Sequence, residues 1–115
     1  MKNWSPKLHQ HYADYMSDLK QHYPELNFPY EKSIFPTTTY NLGPCTISHP
    51  HLDFANLAFG WYAITALGNF NYKTGGHLIV WDLNLVIEFP LGSTILIPSA
   101  ILSHSNTTIN EQERR

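Results

Sequence analysis

Residues 49–53 read His49-Pro50-His51-Leu52-Asp53. On an extended strand, residues i and i+2 point to one face. The imidazole of His51 and the carboxylate of Asp53 can therefore reach one ion. His104, 53 residues after His51, adds a second imidazole within the polar word Ser103-His104-Ser105-Asn106. Two imidazoles and a carboxylate make a facial triad. They cover one face of an octahedral Fe(II) and leave the other open for a bidentate co-substrate and oxygen. Thiolates would favour zinc or a cluster, and the chain has one cysteine. His-x-Asp alone is a weak signal. The plainer alternative makes His51 a capping or surface histidine in a proline-rich loop, with Asp53 starting a turn.

A co-substrate such as 2-oxoglutarate needs a cation for its far carboxylate. Arginine suits, because its planar fork binds a carboxylate at two points. Arg114 and Arg115 follow His104 by 10 and 11 residues, the length of one β-turn and part of a strand. Strand alternation sends them to opposite faces, so at most one stands beside the metal. Asn41, Asn56 and Asn106 are open between co-substrate hydrogen bonds and turn caps. Trp81 reads as core or pocket wall. Asp82 reads either as an acceptor that orients a ligand histidine or as a turn residue. His77, after a Gly-Gly turn, reads as structural. His49 forms His-x-His with His51, which keeps a cupin-like ligand set as an alternative. Cys45 reads as a small core or strand residue.

These side chains need a frame. A chain of 115 residues fits one domain and can bury roughly 60–70% of its unfolded surface. With 43% hydrophobic and only 14% charged residues, the composition argues for a packed core and against a disordered tail. The net charge of −2 carries no Lys/Arg excess, so nucleic-acid binding by this chain alone has no electrostatic support. A single cysteine excludes a disulfide framework and a Cys-rich zinc site. The first twelve residues hold no apolar signal core, and no run approaches the roughly 20 apolar residues of a membrane span. An intracellular, monomeric protein with no membrane partner is expected.

Ser5-Pro6 is a helix start, with Ser5 as N-cap and Pro6 at the first helical position. Leu8, Tyr12, Tyr15, Met16, Leu19 and Tyr23 then recur at spacings of three and four, an apolar stripe that Pro24 ends. His9, His11 and His22 lie mostly off the stripe and read as solvated. Pro29, Pro36, Pro44 and Pro50 then rule out long helices. Residues 37–41, 45–49, 61–67, 77–83, 85–89, 94–97 and 103–109 are candidate strands separated by glycine- and proline-bearing turns. The expectation is an all-β jelly roll over residues 37–115, preceded by an amphipathic helix and linker over 1–36. A jelly roll has about eight strands, and seven are counted, so the last strand or strands are expected to be missing.

The stretch from Thr39 to Arg115 resembles the TET/JBP-like Fe(II)/2-oxoglutarate dioxygenase domains of the expanded, transposon-associated fungal group. The matching words begin with Tyr40-Asn41-Leu42-Gly43-Pro44, His51-Leu52-Asp53 with Asn56, and Gly60-Trp61-Tyr62-Ala63-Ile64-Thr65-Ala66-Leu67-Gly68. They continue with Gly75-Gly76-His77-Leu78-Ile79-Val80-Trp81-Asp82-Leu83, residues 89–100, His104-Ser105-Asn106 and Glu113-Arg114-Arg115. The resemblance covers about two thirds of the chain.

The resemblance implies a double-stranded β-helix in which His51, Asp53 and His104 bind iron. It aligns Arg115 with the arginine that holds 2-oxoglutarate. That arginine follows a Gly-Glu-x word; Gln112 stands in place of the glycine, so Arg114 stays an alternative. The family's Pro-Pro-Gly turn is Pro90-Leu91-Gly92 here, and its strand beyond the arginine is lacking. The implied activity is oxidation of a methylated pyrimidine such as 5-methylcytosine. The base would belong to DNA or RNA, be flipped out of the helix, and be met in the nucleus. A non-catalytic remnant or binding domain, and a dioxygenase acting on protein or a small molecule, are the competing readings.

Overall fold

In the computed structural model, residues 1–28 and 30–115 are described; Pro29, one of the expected interruptions, lies outside the described residues. The chain divides into two units, Met1–Tyr40 and Asn41–Arg115. The element order is one helix followed by short strands: α1 (Pro6–His22), β1 (Tyr62–Thr65), β2 (Leu78–Val80), β3 (Leu85–Ile87), β4 (Thr94–Ile97) and β5 (His104–Asn106). Among the described residues, no helix is long and apolar enough to cross a membrane.

Helix α1 has Pro6 at its first position, and the Tyr23 N–H closes its end on the Leu19 carbonyl. Ser5 makes no side-chain cap, contrary to expectation. Its amide bonds instead to the Met1 carbonyl, in a turn that leads into the helix. Met16 is the one buried member of the stripe. Tyr15 and Tyr23 are exposed, and Tyr15 stacks at 4.8 Å on His11. Within this unit Tyr12 packs 5.6 Å from Phe35, and Lys20 lies 5.4 Å over Phe28.

The second unit is built from two small antiparallel sheets that do not close into a barrel. One pairs β1 with β4, in register Tyr62 with Ile97 and Thr65 with Thr94. The other has the order β3-β2-β5, with Leu78 opposite Ile87 and Val80 opposite His104. Ile64 and Ile95 from the first sheet pack with Leu78 and Ile87 from the second, around Ala66, Phe70, Phe89 and Ile109. The apolar core thus lies between the sheets, an arrangement compatible with a β-sandwich.

Five of the seven expected strands form. Residues 37–41 stay exposed and unpaired into a ladder. Residues 45–49 find their hydrogen bonds elsewhere: Asn106 accepts from the Ser48 amide and hydroxyl and donates to the Thr46 carbonyl. The Asn106 side chain and its main-chain amide, which donates to the Ser48 carbonyl, hold this segment without a regular ladder. Cys45 is exposed in this loop, so it is neither a core nor a strand residue. The expected strand 77–83 stops at Val80. Residues Trp81–Leu83 wind into a 3-10 turn that Asn84 ends in the left-handed region, φ 52°.

Candidate metal centre

His51 sits outside the named strands but bridges His104 on β5: each amide donates to the other's carbonyl at 3.1 Å. Residues that exchange both bonds face each other directly, and the two ring centroids lie 4.4 Å apart with their planes tilted by 50°. The Asp53 amide donates to the Ser99 carbonyl at 3.0 Å, which fixes the third member. The ligand atoms of His51, Asp53 and His104 all lie within 4.8 Å of one another, and together they can hold a metal ion.

The ring tautomers follow from the partners. Nδ1 of His51 is 2.7 Å from the His49 carbonyl, and Nδ1 of His104 is 2.9 Å from the Leu102 carbonyl. A carbonyl oxygen only accepts, so both Nδ1 atoms carry a hydrogen, and in the neutral rings both Nε2 atoms then present a lone pair. Those lone pairs face Asp53, at 3.4 Å from Oδ1 for His51 and 3.7 Å from Oδ2 for His104. With both imidazoles neutral, three electron-pair donors converge without a donor hydrogen among them, an arrangement that a cation satisfies. Cis ligands of an ion with bonds of about 2.1 Å stand about 3 Å apart, close to these separations. The site is graded from inside to outside: side-chain exposure is 6% at His104, 26% at Asp53 and 43% at His51. The His51 side is the one open to an incoming molecule.

The ring of His49 takes no part in this group; its carbonyl orients His51. His77 is structural: its amide donates to the Thr107 hydroxyl and its carbonyl accepts from the Thr107 amide. Asp82 accepts from the Ser103 amide at 2.6 Å. It therefore fixes the turn before His104 and does not bond the imidazole. Trp81 is 48% exposed, so it is not core. Its indole donates to Ser105, which alternates with His104 on β5 and so points to the opposite face. Asn41 is exposed and joins none of the hydrogen bonds that build the site. Asn106 spends its amide on residues 46–48 and therefore acts as a staple. Asn56 does reach the site, with Nδ2 2.9 Å from the Ser99 hydroxyl and 3.4 Å from Asp53 Oδ2.

The two arginines separate as strand alternation requires. Arg114 is exposed, and its backbone pairs with Asn69. Arg115 turns inward. Its guanidinium lies 5.4 Å over Phe70 and 5.8 Å over Phe89, and Nη1 donates to the Gly76 carbonyl at 2.7 Å. Burial pushes this guanidinium below its usual range, and the nearby Cys45 thiol opposes the shift.

Ser99 and Ser48 were not singled out from the sequence. They bond to residues 43 and 58 positions away, and no local pattern announces such links. A scan of protein-family models finds no match to the chain, and neither the curated proteins nor the solved structures give a relative.

Proposed function

We propose that this chain is an Fe(II)- and 2-oxoglutarate-dependent dioxygenase with a jelly-roll core, acting on a methylated pyrimidine base in nucleic acid. The observation that supports it most is the pair of Nδ1-protonated histidines that aim Nε2 lone pairs at one carboxylate. That donor set, oxygen and nitrogen without thiolate, suits Fe(II) with open positions. Iron, 2-oxoglutarate and dioxygen together supply hydroxylation of a C–H bond, with succinate and CO₂ as co-products.

In this reading His51, Asp53 and His104 hold the ion, and the exposed side of His51 admits the substrate. Arg115, rather than Arg114, receives the far carboxylate of 2-oxoglutarate. Its guanidinium is half-buried against two aromatic rings, where a bidentate carboxylate offsets part of the cost of burying charge. The two antiparallel sheets that enclose the core support the jelly roll. The choice of a methylated base rests on the resemblance of residues 39–115 to the TET/JBP-like domains.

The test is anaerobic addition of Fe(II) and 2-oxoglutarate, followed by the weak visible charge-transfer band, then by succinate release with methylcytosine-bearing oligonucleotides. A band that His51→Ala removes and Arg115→Ala weakens supports the reading. Iron binding without succinate formation would favour a non-catalytic metal-binding domain. Succinate release that ignores the oligonucleotide would move the substrate to a protein or small molecule.

A further inference from the structure

The two histidines are each fixed twice, by the backbone bridge and by an Nδ1 bond. Asp53 lies outside that bridge. Its main chain is anchored to the Ser99 carbonyl, but its carboxylate is 26% exposed and can rotate toward solvent. Beside the histidines, the side-chain amide of Asn56 reaches it, with Nδ2 3.4 Å from Oδ2.

Asn56 is bound to Asp53 twice. Its backbone amide donates to the Asp53 carbonyl at 2.9 Å, which closes a turn over residues 53–56. Its Nδ2 carries two hydrogens; one reaches the Ser99 hydroxyl at 2.9 Å, and Asp53 Oδ2 lies 3.4 Å away on the same nitrogen. Ser99 is 1% exposed, and its own amide is tied to the Ile97 carbonyl at the end of β4. A single buried residue therefore holds Asp53 by its backbone and, through Asn56, by its carboxylate.

We infer that Ser99 and Asn56 are positioning residues for the Asp53 carboxylate, and that they set its rotamer before a metal arrives. This rests on the metal reading given above. The hydroxyl fixes the amide, and the amide holds Oδ2 toward Nε2 of His104. A plain turn cap at Asn56 would need neither Ser99 nor a hydrogen bond directed at the carboxylate. Partners that orient a ligand in this way typically change metal affinity by about 10–100-fold when removed.

The experiment titrates the full chain with Co(II), read by visible absorption, in the unmodified protein and in Asn56→Ala and Ser99→Ala. Thermal unfolding of each metal-free chain is measured alongside. Asn56 is exposed, so its variant tests the relay without disturbing the core. The expected result is about tenfold or weaker Co(II) binding in both variants, with altered band intensity, and an unfolding midpoint in Asn56→Ala close to that of the unmodified chain. Equal affinity and spectrum in all three proteins overturns the relay and leaves Asn56 a turn cap. Failure of the unmodified chain to bind Co(II) overturns the metal reading and the relay with it.

Discussion

His51 and His104 form an isolated β-bridge and exchange both main-chain hydrogen bonds at 3.1 Å. Their imidazoles are therefore held together by the backbone, whatever the intervening loops do. Each ring is then turned by its own Nδ1 bond to the carbonyl two residues before it. The pair behaves as a preset bidentate donor to which Asp53 adds charge.

Removing either histidine should abolish iron binding, yet the metal-free proteins should differ. His104 is buried at 5% exposure. Its loss in His104→Ala leaves a small cavity and a carbonyl without its donor, a cost of about 1–3 kcal/mol. His51→Ala removes a side chain that is 43% exposed and should stay within about 0.5 kcal/mol. Urea unfolding of the two metal-free variants measures the difference.

Arg115 and Arg114 should not be interchangeable. Arg115→Lys loses the planar fork and should weaken 2-oxoglutarate binding about tenfold or more, roughly 1.4 kcal/mol. Arg114→Ala, at an exposed position, should leave that affinity unchanged. Titration of the iron-loaded chain with 2-oxoglutarate, followed by the charge-transfer band, distinguishes them. Equal losses in the two variants would count against Arg115 as the receptor.

Gly68 has φ 125°, and a β-carbon there would strike the main chain of Arg114. Gly68→Ala therefore combines a disfavoured backbone with a clash, and should cost at least about 1–3 kcal/mol. A lowered unfolding midpoint is the expected outcome. Gly92, also at positive φ but with open space around it, should suffer less in the same measurement.

Asn106 staples residues 46–48 to β5 through three side-chain hydrogen bonds. Asn106→Ala should release that segment. Hydrogen exchange at the Ser48 amide should accelerate, while the core amide of Ile79 keeps its protection. Unchanged exchange at Ser48 would show that the loop is held by other contacts.

The sequence made some parts of this arrangement legible and hid others, for physical reasons. His51 and Asp53 do come together, although residues 51–53 form no strand and only His51 is bridged, and the apolar run that forms β4 is read to the residue. Alternation also separates Arg114 from Arg115. Residues 45–49 mislead because their composition suits a strand, while they are held outside any ladder by the Asn106 side chain and one main-chain bond from its amide to the Ser48 carbonyl. Trp81 misleads in a similar way: a bulky indole suggests core, but the chain leaves the strand at Val80 and exposes it. Ser99 is invisible from sequence, because its hydroxyl and carbonyl meet partners more than forty residues away.

The most direct test of the metal centre is anaerobic equilibrium dialysis of the full chain against Fe(II), with Asp53→Ala and His51→Ala beside it. One tightly held iron per chain is expected, lost in both variants while each remains folded. No bound iron in the unmodified chain, or iron retained in Asp53→Ala, would contradict it.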